Sequence, residues 1–176
     1  MTQISFFFQD VKRMLGKHKI RILHIWLSRS FAGIFLYRLE RSLYILLGGL
    51  YGYLRIPFMP IITIIQAYSN IDIHYKSNIK GGLSILHPSV GCVISGKAKI
   101  GQNLTITGGN VIGVSKKCQD NDFLIGDNCT LGANATIIGP LKLGNNINIG
   151  AAACVVKDCV VHNSILLGVP AKISIN

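Results

Sequence analysis

His87 is the residue of this chain whose setting most suggests chemistry. It lies in SILHPSVGCVISGKAKIG, residues 84–101, directly before Pro88. An imidazole exchanges protons near neutral pH, so a histidine in such a position can act as a general base. A surface or structural histidine beside a tight turn is the alternative, because proline also suits a turn. Which of the two applies depends on the fold around it.

Aliphatic residues recur every six positions on both sides of His87. The run before it is Ile73, Ile79 and Ile85, and the run after it, displaced by three residues, is Ile94, Ile100, Ile106 and Ile112. A third run of nine such positions follows at Ile125, Leu131, Ile137, Leu143, Ile149, Val155, Val161, Leu167 and Ile173. A period of six fits neither an α-helix nor a simple strand and is typical of a parallel β-helix. His87 therefore lies where the chain leaves its core register.

The segment between the second and third runs is one residue too long for the repeat. Ile112 and Ile125 are thirteen residues apart instead of twelve. The segment 114–124 is therefore predicted to protrude as a loop beside the functional site, with a tolerated surface insertion as the alternative. Its charged residues are Lys116, Lys117, Asp120 and Asp122.

The composition favours a folded, basic protein. The chain has 176 residues, a net charge of +11 and 49% hydrophobic residues, which allows one domain with an extension or two small units. Nine of its 18 lysines and arginines, but only two acids, fall within residues 1–70, which are also strongly apolar. This combination suits an anionic membrane surface better than nucleic acid, and no nucleic-acid-binding motif is present.

The N-terminal residues have a helical pattern. Residues 9–47 carry apolar residues at helical spacing, and the apolar run 43–68 is interrupted by Arg55, Pro57 and Pro60. We expect a helical region at 1–69 that packs on the end of the assembled subunits and lies in a membrane interface, followed by a β-helix domain at 70–176. A purely structural cap and a membrane span are the alternatives. The fold class is mainly β.

The five cysteines indicate a reducing compartment. They show no CxxC pair, and the chain start MTQISFFFQDVKR does not have the charge order of a secretory signal. We expect a cytoplasmic protein, peripheral at the inner face of the cytoplasmic membrane.

The hexads I-G-x-x-x-x and the ending LLGVPAKI resemble those of the hexapeptide-repeat acyltransferases. The resemblance implies a left-handed parallel β-helix, a homotrimer, acetyl-CoA as cosubstrate and no metal. Residues 72–101 look like the active-site stretch of serine acetyltransferases and of relatives that O-acetylate bacterial polysaccharides. This resemblance implies that His87 is the general base. It also implies that Asp72, fifteen residues earlier, hydrogen-bonds His87 and stabilises the imidazolium.

Two departures from the serine acetyltransferases concern the acceptor. Those enzymes carry an aspartate before the catalytic histidine, where this chain has Leu86, and an Arg-His pair where it has Asn121 and Asp122. We therefore expect acetyl transfer to a hydroxyl of a cell-surface polysaccharide or its lipid- or nucleotide-linked precursor. Serine O-acetylation is the alternative within the same class, and a non-catalytic membrane-associated β-helical scaffold is the alternative from another class.

The resemblance also implies a groove for acetyl-CoA between neighbouring subunits. The small residues at the matching positions are Gly113, Ala133 and Ala151, and Lys157 and Lys172 are placed to neutralise the CoA phosphates. Small residues are common in hexads whatever their function.

The other four histidines have weaker claims to a catalytic role. His74 matches a structural histidine of the family, whereas His18, His24 and His162 are expected to be solvated. Their spacing does not provide the set of ligands that a zinc site needs.

Overall fold

The computed structural model describes residues 2–16, 19–115, 118–119 and 121–174. His18, and Lys116, Lys117 and Asp120 of the predicted loop, lie outside these residues.

The N-terminal region is helical. Its α-helices are α1 (Gln3–Leu15), α2 (Arg29–Leu47), α3 (Leu50–Leu54) and α4 (Met59–Ser69), with 3-10 turns at Lys19–Leu23, Ile25–Leu27 and Ile56–Phe58. The hydroxyls of Thr2 and Ser28 cap the first two helices by accepting hydrogen bonds from Ser5 N and Phe31 N. The predicted interruption of the apolar run is the 3-10 turn between α3 and α4, which contains Pro57.

The remainder forms a parallel β-helix of about four turns, which confirms the predicted fold class. Its strands are β1 (Ile71–Ile73), β2 (Asn78–Ile79), β3 (Ser84–Ile85), β4 (Cys92–Ile94), β5 (Lys99–Ile100), β6 (Thr105–Ile106), β7 (Asn110–Val114), β8 (Phe123–Ile125), β9 (Thr130–Leu131), β10 (Thr136–Gly139), β11 (Leu141–Leu143), β12 (Asn148–Ile149), β13 (Cys154–Val155), β14 (Ile165–Leu167) and β15 (Lys172–Ile173).

These strands form three sheets, one for each side of the coil. Sheet A has the order β1-β4-β7-β10-β13, sheet B the order β11-β8-β5-β2, and sheet C the order β15-β14-β12-β9-β6-β3. The pairings are parallel except that between β14 and β15, which is antiparallel. The chain therefore passes from sheet A to B to C, and then back to A one coil further on.

Two rows of side chains fill the core. The hexad positions from Ile73 to Val155 are all buried, as predicted. A second row, two residues before many of them, is also buried and was not predicted: Leu83, Ala98, Leu104, Cys129, Ala135, Ile147 and Ala153. The residue directly before a member of the second row lies in a turn and is often an asparagine with a left-handed backbone, as at Asn103, Asn128 and Asn134.

The last three predicted core positions are wrong. Val161, Leu167 and Ile173 are 57%, 46% and 46% exposed. The last coil instead buries Cys159 and Leu166. The backbone of Cys159 forms an isolated parallel β-bridge with Leu143. The register shifts because this coil is shorter than the one before it. Cys159 lies 16 residues after its partner Leu143 and Leu166 lies 17 after Ile149, whereas Leu143 lies 18 after Ile125. β15 then turns back to pair antiparallel with β14.

Polar contacts attach the helices to the first coils. The Arg38 guanidinium donates to Asp10 Oδ2 at 2.8 Å, and also to the carbonyl oxygens of Ile79 and Lys80. Asp10 Oδ1 accepts from Leu83 N at 2.7 Å. Asp10 and Arg38 are thus a buried ion pair that links α1, α2 and the β-helix.

Several N-terminal arginines contact the protein itself. Arg13 donates to the carbonyl oxygens of Gly82 and Leu104, Arg41 to that of Lys76, and Arg55 to the carboxylate of Glu40. Part of the charge that the sequence suggested for a membrane surface therefore stabilises the fold.

The surface of α3 and α4 is apolar. Exposed side chains include Leu50, Tyr53, Leu54, Ile56, Phe58, Ile61 and Ile64. In the described part of the chain, Leu50–Ser69 is the one helical stretch that is long and apolar enough to cross a membrane, by length and composition alone.

Candidate active site

His87 lies at the corner where the chain passes from sheet C to sheet A. It follows β3 and precedes a 3-10 turn at Pro88–Val90, which leads into β4. Its N–H donates to Thr107 O at 2.8 Å, and its side chain is exposed. The register break therefore presents an imidazole at the surface on a backbone that is held by the next coil.

The coil next to His87 is shaped to receive it. Gly108 has φ +148°, and a Cβ on this residue would lie 2.5 Å from His87 O. The buried Asn110 accepts from Gly108 N at 2.8 Å and donates to Gly132 O at 2.7 Å. Sequence reasoning missed Gly108 and Asn110, although TGGNVIG, with two consecutive glycines, departs from the ordinary hexad.

Asp72 lies close to the turn that bears His87 without contacting the imidazole. It is on β1, opposite Val93 of β4, and it lines the same cleft as Ser89 and Val90. Its carboxylate accepts from Gln66 Nε2 at 3.2 Å, and no hydrogen bond joins it to His87 within the described residues. The structure thus places Asp72 beside the turn that bears His87, while its function as the partner of His87 stays a prediction.

The turn has one backbone amide without a partner in the described chain. The N–H groups of Leu86, His87, Val90 and Gly91 all donate to backbone carbonyls. Pro88 has no N–H, which leaves that of Ser89. A backbone amide without a partner can stabilise an oxyanion, and Ser89 is the residue of this turn that has one to offer.

Cys92 lies at the end of the turn but is not suited to nucleophilic attack. Burial raises the pKa of its thiol to about 12, with a smaller contribution from the charge of Asp72. The thiol therefore stays protonated at neutral pH, and a thiolate is the reactive form of cysteine.

The five residues predicted to bind acetyl-CoA lie on different edges of the β-helix. Ala133 and Ala151 lie on the same corner as His87, where Ala152 N donates to Ala133 O at 2.8 Å. Gly113 is near the carboxyl end of its strand β7, where the chain leaves sheet A for sheet B. Lys157 follows β13 beyond that end, and Lys172 is on β15. A single chain therefore does not collect these residues in one groove.

The positions at which this chain departs from the serine acetyltransferases lie on different corners of the β-helix. Leu86, next to His87, is 55% exposed and lines a cleft with Ser30 and His24 from the helical region. Asn121 lies between sheets A and B, where its side-chain oxygen accepts from Lys99 Nζ. In the described residues, no group of three or more His, Cys, Asp or Glu side chains could hold a metal ion.

Comparisons with known proteins point to the serine acetyltransferases. No family model matches. The chain is 38% identical to serine acetyltransferase 5 of Arabidopsis thaliana over 73 residues, which are 41% of this chain and 23% of that protein. It thus spans less than a quarter of that relative.

Solved structures match over almost the whole chain. The serine acetyltransferase of Neisseria gonorrhoeae superposes with a TM-score of 0.80 at 27% identity, over 98% of this chain and 66% of that one. Its complex with serine superposes with a TM-score of 0.74 at 28% identity, over 97% and 68%. The chain therefore has the fold of serine acetyltransferases, a hexapeptide-repeat parallel β-helix preceded by a helical region.

Proposed function

We propose that this protein is an acetyl-CoA-dependent O-acetyltransferase of the serine acetyltransferase type, with His87 as its general base. The observation that carries the proposal is the exposed imidazole at the register break, on a fold that matches a serine acetyltransferase over 98% of the chain. The non-catalytic scaffold is the weaker alternative, because the chain retains both His87 and Asp72.

The proposed reaction is a direct acyl transfer. His87 removes the proton from the acceptor hydroxyl as its oxygen attacks the thioester carbonyl carbon. The tetrahedral intermediate then collapses, the carbon–sulfur bond breaks, and the imidazolium returns the proton to the CoA sulfur. The N–H of Ser89 is the donor that we assign to the oxyanion of this intermediate. Asp72 would stabilise the imidazolium from the neighbouring coil.

Serine is the acceptor that the comparisons favour, because the similar structures include a serine complex. A sugar hydroxyl is the second candidate, favoured by Leu86. Its exposed apolar side chain stands beside His87 where serine acetyltransferases have an aspartate. Such a residue offers no acceptor for an ammonium group, whereas it can pack against a sugar ring.

The acceptor can be identified by measuring CoA release from acetyl-CoA with serine and with a panel of free, nucleotide-linked and lipid-linked sugars. We expect turnover that depends on a hydroxyl acceptor. Saturable release with serine would assign serine and eliminate the sugar, and release with a sugar alone would do the reverse. Leu86→Asp is the matched variant, and we expect it to raise kcat/KM for serine relative to sugars. Absence of release with every acceptor would contradict the enzymatic proposal.

A homotrimer would unite the acetyl-CoA residues. Ala133 and Ala151 lie on one corner of the β-helix, and Gly113 and Lys157 lie toward the other end of sheet A. If one corner of a subunit faces the opposite edge of the next subunit, the small residues line a shared groove and the lysines reach its end. The site of each subunit is thus proposed to be completed by a neighbouring copy.

We also propose peripheral contact with the inner face of the cytoplasmic membrane through α3 and α4. The support is their apolar surface, including Ile61 at 58% and Ile64 at 68% exposed. Because Arg13, Arg38, Arg41 and Arg55 contact the protein, apolar burial must supply more of the binding than the net charge suggests.

This contact can be tested by cosedimentation with phosphatidylglycerol vesicles. We expect the wild-type protein to bind and Ile61→Glu/Ile64→Glu to remain in solution. Val160→Glu/Val161→Glu is the matched control, because these β-helix residues are comparably exposed, at 62% and 57%. Equal binding by all three proteins would contradict the membrane proposal. A smaller oligomer for the helical variant, without loss of vesicle binding, would assign the surface to subunit packing.

A further inference from the structure

A polar cleft lies on the edge between sheets A and B, away from His87 of the same chain. It is formed by α2, by the turn between β1 and β2, and by the turn between β4 and β5, and has a volume of about 610 Å³. Its cationic and aromatic lining residues are Arg41, Tyr44, His74, Lys76, Lys97 and Lys99. Neither the proposed base nor the proposed acetyl-CoA groove uses any of them.

Among the described residues that line the cleft, the charges are all of one sign. Arg41, Lys76 and Lys99 are basic, and none of these lining residues is acidic. The nearby carboxylate of Glu40 is paired with Arg55 at 2.5 Å, and that of Asp72 accepts from Gln66. A concave surface with unbalanced positive charge attracts and concentrates anions.

One lining residue of the cleft has a buried donor without a partner among the described residues. The Nε–H of Arg41 is buried without a hydrogen bond, whereas its Nη1 donates to the carbonyl oxygens of Tyr75 and Lys76 at 3.4 and 3.0 Å. A buried donor without an acceptor costs about 1–3 kcal/mol, and more for a charged group. An anion that reached this donor would supply the missing acceptor.

His74 contributes a further donor of fixed tautomer. Its Nδ1 accepts from Lys76 N at 3.1 Å, so the neutral ring carries its proton on Nε2. The ring packs on Gly96, where a Cβ would lie 2.5 Å from Nδ1, and stacks on Tyr75. Partial burial, followed by the charges of Lys76 and Arg55, lowers the pKa of His74. The imidazole thus remains a neutral donor at neutral pH.

We propose that this cleft binds a phosphoryl group. A phosphate matches several ammonium donors and a guanidinium better than a carboxylate does, because it carries more charge and more acceptor oxygens. The phosphoryl group can belong to a free inorganic anion or to a nucleoside diphosphate. The proposal does not depend on which acceptor is acetylated at His87.

The experiment is calorimetric titration of the full chain with inorganic pyrophosphate, inorganic phosphate and uridine diphosphate. We expect Lys76→Ala/Lys99→Ala to weaken pyrophosphate binding by about tenfold or more. Lys80→Ala/Lys142→Ala is the matched control, because it removes the same charge from exposed lysines outside the cleft. We expect it to change the affinity by less than about twofold.

The outcomes separate specific binding from general charge attraction. Equal weakening by both double variants, or no heat with any phosphate, would overturn the proposal. Tighter binding of uridine diphosphate than of pyrophosphate would identify a nucleotide as the ligand, and the reverse order a free anion. Because no turnover is measured, a failure of the acetyltransferase proposal would leave this result unaffected. Thermal melting of each variant checks that the fold is retained.

Discussion

Substitution of His87 by alanine is expected to lower kcat by about 10²–10⁴-fold. The imidazole is the proposed base, and the register break places it at the surface on a turn that Thr107 holds through the backbone. The KM for acetyl-CoA should change little, because the side chain is not part of the proposed CoA groove. The measurement is the steady-state rate of CoA thiol release with the acceptor that the panel of serine and sugars identifies.

His162→Ala is the matched control for this prediction. His162 is also exposed, and its Nδ1 accepts from Asn145 N at 2.8 Å on a distant coil. We expect a kcat within about twofold of the wild-type value, since general acid–base catalysis requires a group within reach of the reacting proton. If His87→Ala kept more than a tenth of the wild-type kcat, the base would have to be another residue.

Asp10→Ala is expected to lower the free energy of unfolding by about 3–5 kcal/mol. Asp10 is fully buried and accepts hydrogen bonds from Arg38 and from Leu83 N. Its removal leaves the Arg38 guanidinium buried without a counter-charge and detaches α1 from the first coil. Urea unfolding followed by circular dichroism measures the loss.

Two further variants test the cause of that loss. Asp158→Ala removes an exposed carboxylate that accepts from Lys142 N at 2.9 Å, and should cost at most about 1 kcal/mol. Asp10→Leu/Arg38→Met removes both charges and should be less destabilised than Asp10→Ala, because no uncompensated charge remains. If the double variant were the less stable of the two, hydrogen bonding to the backbone rather than charge pairing would be the main contribution.

The repeat predicted the β-helix because each coil imposes the same requirement on its sequence. Positions from Ile73 to Val155 face the core as expected. The prediction failed at Val161, Leu167 and Ile173, because a strict period of six does not show where a coil becomes shorter and its register shifts. The chain continues to place an aliphatic residue every six positions after the coil has changed register.

The sequence indicated the corner that bears His87 but not the contacts around it. Spacing brought Asp72 to that corner, whereas its hydrogen bond to Gln66 depends on how α4 ends against β1. The functions of Arg38 and Arg41 were equally hidden, because a basic residue in an amphipathic helix has the same sequence pattern whether it faces lipid or a backbone carbonyl. Long-range contacts of this kind have no local signal.

The reversed strand β15 limits the pairing of further strands with β14 at this end of sheet C. A coil of parallel strands ends in a row of unpaired backbone groups, to which another copy could add. Here Leu166 and Leu167 are paired with Ile173 and Lys172 running in the opposite direction, and α1 and α2 pack at the first coils. A further parallel coil would have to displace β15 before it could pair with β14. Along sheet C, β15 thereby hinders the end-to-end addition of another copy.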